Sequence, residues 1–548
     1  MTLSQHVSEE EQSLFCARPP LWPSSFSNSP TLGYGSTDIG SYPKDKTSGE
    51  TKLVNQDDVP EDAAVGRNLG WTSAVMMIFS RMIGSGVFAT PGTILVTAGS
   101  PGMSLVLWTL GSLISFCGLA VLLEFGTMLP KSGGIKLYLE YVYQKPRFLA
   151  STVFAIQALL LGITASNCIV FSQYILYALN IERTAWNQKS LAVGVIILVT
   201  LIHGYSLKTG IWIQNTLGFI KMFLLLFMVL TGFTVLITGR TRSGPSQLEL
   251  SRIFEGTETN LSLLSMALFK VLYSFSGYGN VNNVMNEVRN PVRTLKSAAP
   301  VAVIIVAGTY LLINLAYFSV VPIEEIKESG QLVAALFFTR VFGYTAGRVL
   351  LPGLIAISAL GNLFVAIYSE SRINQEIARQ GFFPYASIIA SNRPFNSPLG
   401  GLIVHLVPSI LMITLPPAGD IYAFILDVVG YPAQFTSIAI AVGLLLLRKR
   451  EPHLKRPFRA WSLAVYVQIL VSLALLLSPF MNTKEGKGDT SFWYGTYAVV
   501  GTSILAFSFL YWFVWIKLLP WWKGYTLEQE VGVLDDGTTV KHLVKLYQ

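Results

Sequence analysis

Long apolar runs, separated by short polar connections, dominate the chain after its first 66 residues. Twelve stretches of roughly 17 or more residues carry few or no charges, and each is long enough to cross a hydrocarbon core of about 30 Å as an α-helix. The predicted spans are Leu69–Ala98, Met103–Leu129, Phe148–Leu179, Leu191–Leu207, Ile211–Thr238, Leu261–Met285, Ala298–Val321, Val349–Tyr368, Leu399–Leu415, Ile421–Leu447, Trp461–Phe480 and Phe492–Trp515. The pattern therefore predicts an all-α membrane protein with twelve transmembrane helices.

Glycine-rich interruptions break two of these spans. Ile83-Gly84-Ser85-Gly86 lies in the first span, and Ser276-Gly277-Tyr278-Gly279 lies in the sixth. Glycine in hydrocarbon leaves backbone groups without helical partners, which is costly unless protein or a watery cavity satisfies them. For either break alone, close packing against a neighbouring helix is the commoner role. Two breaks at corresponding positions of two halves indicate a substrate site at the membrane midplane of a carrier.

The two breaks differ in the backbone groups that they expose. Unwinding at Gly84 and Gly86 frees amide N–H groups, and the positive end of the half-helix that begins near Val87 is expected to face the cavity. Such a site suits a carboxylate. A break at residues 275–279 exposes carbonyl oxygens and a hydroxyl that accept hydrogen bonds from an ammonium group. Together the breaks suit a zwitterion.

The distribution of Lys and Arg predicts how the chain is oriented in the membrane. Lys and Arg are more frequent in the connections that follow even-numbered spans, as in the run Arg448-Lys449-Arg450 after the tenth. By the positive-inside rule both ends of the chain are therefore predicted to be cytoplasmic. The net charge of +8 mostly reflects this bias. No basic face interleaved with aromatic residues lies outside the membrane loops, so we expect a lipid bilayer and no nucleic acid as a partner.

Composition separates the tails from the membrane part. Hydrophobic residues make up 52% of the chain and charged residues only 13%, which excludes a soluble single domain. Residues 1–66, rich in Ser, Pro and Gly, are predicted to be disordered. Lys44, Lys46 and Lys52 lie near acidic residues there and are candidates for regulated modification by the ubiquitin machinery; a plain solvated tail is the alternative. Asp535-Asp536-Gly537 separates two apolar runs near the other end and predicts a hairpin.

The sequence gives little indication of metal binding or catalysis. The three cysteines and five histidines show no metal-ligand spacing. No nucleophile and base pair is recognisable. We therefore expect no catalytic residue, no metal, no cofactor and no enzyme.

Three motifs resemble those of the amino acid-polyamine-organocation (APC) superfamily. They are Ile83-Gly84-Ser85-Gly86-Val87-Phe88, Pro130-Lys131-Ser132-Gly133-Gly134 and Asn286-Glu287-Val288-Arg289-Asn290-Pro291. More closely, the chain resembles fungal high-affinity methionine permeases, which are relatives of the L-type amino-acid transporters. The resemblance implies a LeuT-like fold of two inverted five-helix repeats, with helices 1 and 6 broken. The implied organisation is a ten-helix core at 67–447, peripheral helices 11 and 12 at 448–519, and a cytoplasmic tail at 520–548.

The resemblance also implies where a substrate binds. Its carboxylate is expected to meet Ser85, Gly86 and the adjacent backbone, including Gly84. Its amino group is expected to meet carbonyls near Ile83 and Tyr273, with Ser276 and Gly277 beside them. Tyr273 lies near an aromatic gate of the L-type relatives, and Phe275 lies close by. For either aromatic side chain, ordinary packing is the alternative.

Two charged residues inside predicted spans are candidates for coupling. Lys221 lies within the fifth span, where an ammonium group is expensive unless it reaches a cavity or a partner. In similar carriers a lysine on this helix takes the place of a sodium ion, which implies proton-linked gating by Lys221; a permanently charged structural lysine is the alternative. Asp427 in the tenth span is predicted to be its acidic counterpart, a substrate-side acceptor, or a locally paired carboxylate.

The resemblance and the breaks together predict a plasma-membrane symporter. It is expected to import methionine or a similar neutral amino acid with protons, by alternating access. Two alternatives stay open. One is an amino-acid exchanger with a single-span partner, and the other is a non-transporting nutrient receptor of the same fold.

Overall fold

The computed structural model describes residues 69–548 except 242–243, 246–249, 345, 384, 393–394, 396, 418, 481–491, 494, 534–538 and 548. The N-terminal tail, with its three candidate modification lysines, lies outside these residues, as does the predicted turn at 535–537.

Helices form nearly all of the described structure. The α-helices are α1 Trp71–Met82, α2 Gly86–Ala98, α3 Pro101–Met128, α4 Gly134–Val142, α5 Leu149–Leu161, α6 Ala165–Ala178, α7 Ala185–Tyr205, α8 Leu207–Thr238, α9 Leu261–Ser274, α10 Pro291–Val320, α11 Ile323–Glu328, α12 Val333–Phe342, α13 Leu351–Arg379, α14 Ala386–Ala390, α15 Leu399–Thr414, α16 Ile421–Arg450, α17 Ser462–Leu477, α18 Thr496–Trp512 and α19 Leu519–Lys523. The 3₁₀-helices are Leu250–Arg252, Asn280–Glu287 and Ser478–Phe480, and the π-helices are Ala346–Leu350 and Phe513–Leu518. The strands are β1 Arg240–Thr241, β2 Gly244–Pro245, β3 Tyr525–Val533 and β4 Thr539–Tyr547.

The helix lengths establish a multi-pass membrane protein. Among the described residues, nine helical stretches are long and apolar enough to cross a membrane, and the bent pair α1 and α2 makes a tenth. The predicted sixth and ninth spans contain shorter helices, since α9 has 14 residues and α15 has 16. At 1.5 Å per residue, both are shorter than a core of about 30 Å. Twelve spans therefore stay a prediction.

Side chains set where several helices begin. Ser100 accepts a hydrogen bond from the Met103 N–H (3.2 Å) at the start of α3. Asn260 accepts from the Ser262 N–H (2.9 Å) at the start of α9. Each such cap satisfies an amide that has no partner within its helix.

One predicted span has an unexpected interruption. The segment from Phe148 to Leu179 was predicted as a single helix, but Gly162–Thr164 separates α5 from α6. The Gly162 N–H still donates to the Ala158 carbonyl (2.9 Å), while the Thr164 N–H lies 3.4 Å from Ser409 Oγ on α15. A neighbouring helix therefore replaces part of the helical hydrogen bonding, which no local pattern shows.

The predicted tail hairpin is confirmed in its strands. β3 and β4 pair antiparallel, with Val533 opposite Thr539. Leu543 of β4 donates its N–H to the Gln380 carbonyl (3.2 Å), directly after α13. The hairpin is therefore attached to the end of a long membrane helix.

The packing brings the broken spans to the centre. α2 packs on α9, α1 packs on α10, and α13 packs on α6 and α8. Large apolar side chains on α8, such as Phe219, Phe223 and Phe233, point outward and are exposed. Such a surface suits lipid, whereas the residues of the first break are enclosed by protein.

Candidate functional site

The first break lies where it was predicted. α1 ends at Met82, α2 begins at Gly86, and the two helices are bent by 42°. Gly84 has no room for a side chain, because a β-carbon there would lie 2.6 Å from Asn362 Nδ2. The interruption therefore brings backbone close to a polar side chain of α13, which explains why glycine is needed at this position.

The second break also lies where it was predicted, but its continuation differs. α9 ends at Ser274, turns occupy residues 275–279, and the chain continues as the 3₁₀-helix Asn280–Glu287. The predicted second half of this span is therefore not an α-helix. Its asparagine-rich sequence favours local side-chain to backbone hydrogen bonds over a regular helix.

The two breaks touch each other. A β-carbon at Gly86 would lie 2.6 Å from Ser274 Oγ, so the start of α2 packs directly on the end of α9. Thr90 Oγ1 lies 3.2 Å from Ser274 Oγ and donates to the Gly86 carbonyl (2.7 Å). The N-terminus of one half-helix therefore lies beside the C-terminus of another, which is the arrangement that a zwitterion requires.

Tyr310 of α10 joins the two helix ends. Its hydroxyl lies 2.9 Å from the Met82 carbonyl oxygen at the end of α1, and also 2.9 Å from the Ser274 carbonyl oxygen at the end of α9. A hydroxyl has one proton, so this donor is shared between two acceptors. Its ring packs edge-to-face on Trp108 and Phe275, at centroid distances of 5.3 and 5.1 Å.

Two asparagines support the first break. The Ser85 N–H donates to Asn167 Oδ1 (3.2 Å), which also accepts from Asn362 Nδ2 (3.1 Å). Asn167 lies on α6 and Asn362 on α13, so the freed amide is held by two helices that are distant in sequence. The chain is unwound at this break, but the Ser85 N–H is bonded to a side chain of the protein, so availability of N–H groups to a carboxylate at Gly84 and Gly86 stays a prediction.

Several buried polar atoms near the breaks have no hydrogen-bond partner among the described residues. They are Ser85 Oγ, Asn362 Oδ1 and Tyr422 OH. The Ser85 hydroxyl also lies close to the hydroxyls of Tyr273 and Tyr422. Tyr273 itself pairs with Ser166 Oγ (2.6 Å). A buried polar atom without a partner is costly, so this cluster favours a polar ligand.

The other residues predicted for the sixth span are not all brought together. Phe275 is fully buried, and its ring packs on Trp108 and Tyr310. Ser276 is exposed. Gly277 has a φ of 110° and lies against Arg81, since a β-carbon there would be 2.7 Å from Arg81 Cγ. Packing, which was the alternative for Phe275, is what the structure shows for its ring.

Lys221 lies deep in the protein beside the first break. Its ammonium donates to the Ser80 carbonyl of α1 (3.3 Å), and the residue is 3% exposed. Within the described part of the chain, no carboxylate forms an ion pair with it. Lys221 therefore contacts the first helix, which agrees with both proton-linked gating and a structural lysine.

Asp427 pairs with Lys270, and its predicted role as the acidic counterpart of Lys221 stays untested. Asp427 Oδ1 lies 3.3 Å from Nζ of Lys270 on α9, and both side chains are almost completely buried. The alternative of a locally paired carboxylate is what the structure shows. Lys270 is completely enclosed, because α16 packs on α9.

Comparison with known proteins decides the family. Residues 69–505, most of the chain, match the amino acid permease family. The chain belongs to the amino acid permease family. The permease is 37% identical over 487 residues to a high-affinity methionine permease of Saccharomyces cerevisiae, covering 88% of this chain and 84% of that protein. The resemblance inferred from the motifs is thereby confirmed.

Two further relatives extend the comparison. The permease is 33% identical over 523 residues to a low-affinity methionine permease of the same yeast, covering 94% of each chain. It is 28% identical over 424 residues to the b(0,+)-type amino acid transporter 1 of Mus musculus, covering 76% of this chain and 83% of that protein. All three alignments cover more than three quarters of the permease.

Sequence reasoning missed four residues of the permease that surround the breaks. They are Asn167, Tyr310, Asn362 and Glu370. The asparagines carried a usable signal, because an amide side chain inside an apolar span needs a partner. Tyrosine is common in membrane helices, so Tyr310 carried none. Glu370 lies just beyond the predicted end of the eighth span at Tyr368, whereas α13 continues to Arg379.

Proposed function

We propose that this permease imports methionine or a similar neutral amino acid across the plasma membrane by proton symport with alternating access. The observation that carries the proposal is the contact between the start of α2 and the end of α9, where Gly86 lies against Ser274. The two related yeast proteins that are named methionine permeases support the substrate class.

The proposed topology has twelve spans in two inverted five-helix repeats, with both ends of the chain cytoplasmic. The positions of the breaks support it, since each lies in the first helix of a proposed repeat. The distribution of Lys and Arg supports the orientation. In this topology α9 and α15 cross the membrane with help from the adjoining non-helical segments.

In the proposed bound state, the substrate lies between the two breaks. Its carboxylate accepts from the Gly86 N–H group and from the Ser85 hydroxyl, at the positive end of α2, while the Ser85 N–H stays bonded to Asn167. Its ammonium group donates to carbonyls near Ile83 and Tyr273. The Ser85 hydroxyl supports this assignment, because it is buried and has no partner among the described residues. Around them, Tyr273 and Tyr422 provide a largely apolar wall that tolerates a thioether.

Lys221 is the proposed link to protons. It bonds to the Ser80 carbonyl at the end of α1, one turn before the break. Loss of its proton removes the charge that attracts this carbonyl, so the position of α1 depends on the protonation of Lys221. Movement of α1 then alternates the access of the site, as substrate binding shifts the balance between conformations.

Uptake of labelled methionine by purified protein in liposomes tests the proposal. The measurement is made with and without an inward proton gradient, on the wild type, Lys221→Ala, and the control Lys208→Ala. Lys208 lies on the first turn of the same helix, far from the break. We expect gradient-driven accumulation in the wild type and in the control, and its loss in Lys221→Ala.

The other outcomes separate the alternatives. Uptake that requires amino acid inside the liposome, irrespective of the proton gradient, identifies an exchanger. Binding without any uptake identifies a receptor. Accumulation that persists in Lys221→Ala removes this lysine from proton coupling.

A further inference from the structure

Arg81 and Glu370 form an ion pair directly beside the first break. Arg81 lies in the last turn of α1, and Glu370 lies in the last third of α13. Arg81 Nη2 is 2.9 Å from Glu370 Oε1, and the two side chains are 24% and 13% exposed. The pair joins a half-helix of the proposed site to the helix that carries Asn362.

Arg81 also contacts the second break. The aliphatic part of its side chain lies against Gly277, where a β-carbon would be 2.7 Å from Arg81 Cγ. Gly277 has a φ of 110°, a conformation that other residues rarely adopt. The arginine therefore passes between both broken spans before it reaches α13.

Glu370 contacts the interruption of the third predicted span. A β-carbon at Gly162, between α5 and α6, would lie 2.8 Å from Glu370 Oε2. The carboxylate therefore occupies the place where a third helix is interrupted. Three non-helical segments and α13 meet around this one ion pair.

The pair lies on one side of the substrate site. Arg81 precedes the break, on the side from which α1 enters, and Glu370 lies towards the end of α13 that binds the tail hairpin through Gln380. In the proposed topology this is the cytoplasmic side. An exit from the site on that side has to pass between α1, residues 275–279 and α13.

We propose that the Arg81–Glu370 ion pair is a latch that holds the substrate site closed on the side of α1, and that the pair separates when the site opens there. The latch rests on the proposed transport function. Both residues position helices, and neither contacts the substrate. Glu370 also balances a local excess of positive charge, because the Lys221 ammonium lies close enough to the Arg81 guanidinium for mutual repulsion.

Removal of the carboxylate charge is expected to favour the open state. In Glu370→Gln the attraction between α1 and α13 is lost, while the repulsion between Arg81 and Lys221 stays. A partly exposed ion pair supports about a fivefold change in the balance of two states, equivalent to about 1 kcal/mol at 1.4 kcal/mol per factor of ten.

Thiol labelling in liposomes measures this opening without any need for transport. Ile163→Cys places a thiol beside Gly162 in the interruption, and a hydrophilic maleimide reports its exposure. The chain without this added cysteine provides the background from Cys16, Cys117 and Cys168. We expect labelling about fivefold faster with Glu370→Gln. Glu376→Gln is the matched control, since Glu376 pairs with Arg379 on the same helix at 3.7 Å and is half exposed.

The charge swap Arg81→Glu with Glu370→Arg separates a latch from simple unfolding. We expect the swap to return labelling towards the wild-type rate, which an unfolded variant would not do. Labelling of Glu370→Gln at the wild-type rate overturns the latch, whatever the uptake shows. Faster labelling in a protein that moves no methionine supports the latch and rejects the proposed transport function.

Discussion

Two buried lysines of this permease are satisfied in different ways. Lys270 on α9 pairs with Asp427 on α16, and both side chains are almost fully enclosed. Lys221 on α8 is nearly as buried, yet its hydrogen bond goes to a backbone carbonyl of α1. A carbonyl has no net charge, so the ammonium of Lys221 is compensated less than that of Lys270.

The difference separates a charge that is neutralised by an ion pair from one that is bonded only to a carbonyl. An ion pair in a protein interior fixes its two helices, because breaking it leaves a buried charge without its partner. A single bond to a carbonyl weakens when the lysine loses its proton, because the charge is lost although N–H donors remain. The ion pair therefore links α9 to α16, and the weaker compensation of Lys221 agrees with the proposed movement of α1.

The sharpest test of the fixed lysine is Asp427→Asn. We expect the free energy of unfolding to fall by about 3–5 kcal/mol, because Lys270 loses its buried carboxylate partner. The unfolding of purified protein in detergent measures the change. The double variant Lys270→Met with Asp427→Leu is the control, and we expect a much smaller loss since both charges leave together. A double variant as unstable as the single one would contradict the ion-pair argument.

Loss of the uncharged Tyr310 link between two helix ends is expected to have an intermediate effect on the free energy of unfolding. Tyr310→Phe keeps the ring on Trp108 and Phe275 but removes the donor to two buried carbonyls. We expect a loss of about 2 kcal/mol in the free energy of unfolding and weaker methionine binding. Tyr317→Phe is the control, because its hydroxyl reaches one carbonyl at 3.3 Å. Equal losses in both variants would remove the special role of the shared donor.

Lys221 is expected to contribute little to the free energy of unfolding. Lys221→Met removes one hydrogen bond and one poorly compensated charge, and these effects offset each other. We expect the free energy of unfolding to change by about 1 kcal/mol or less, together with loss of proton-driven uptake. The same detergent unfolding measurement and the liposome uptake assay report the two quantities. A large destabilisation with intact proton coupling would make Lys221 a structural residue like Lys270.

An exposed ion pair is expected to contribute least to stability. Arg252 and Glu255 lie 2.5 Å apart, with side chains 64% and 61% exposed. Arg252 lowers the pKa of Glu255 through hydrogen bonding and charge, but water screens the pair. Glu255→Gln is expected to leave the melting temperature unchanged within error. A measurable loss would show that exposure is a poor guide to the value of an ion pair in this protein.

Sequence patterns predicted the helices, breaks and strands that depend on interactions between neighbouring residues. The apolar runs placed the helices, Gly84 and Gly277 marked the breaks, and alternation in the tail predicted β3 and β4. Each of these depends on residues within one turn or one strand. The interruption at Gly162 was missed because its Thr164 amide is oriented towards Ser409 on another helix.

Partners across long sequence distances were beyond the sequence alone. Asp427 was available to either buried lysine, and only the packing of α16 on α9 selects Lys270, 157 positions away. Similarly, Arg81 lies at the end of a half-helix, and its partner Glu370 is 289 positions away. Charge and apolar pattern restrict such residues to the interior, whereas the arrangement of helices decides which of them meet.

The Tyr310 hydroxyl creates a competition at the centre of the protein. One proton faces two carbonyl oxygens, and the Met82 oxygen also accepts from the Gly84 N–H at 3.0 Å. Whichever carbonyl accepts the hydrogen bond from Tyr310, the other is left as the better acceptor for a substrate. A bound ammonium group would supply further N–H donors and satisfy both carbonyls. Substrate binding would then complete the hydrogen bonding of the fold itself. The substrate-free state would have more unsatisfied acceptors than the bound state.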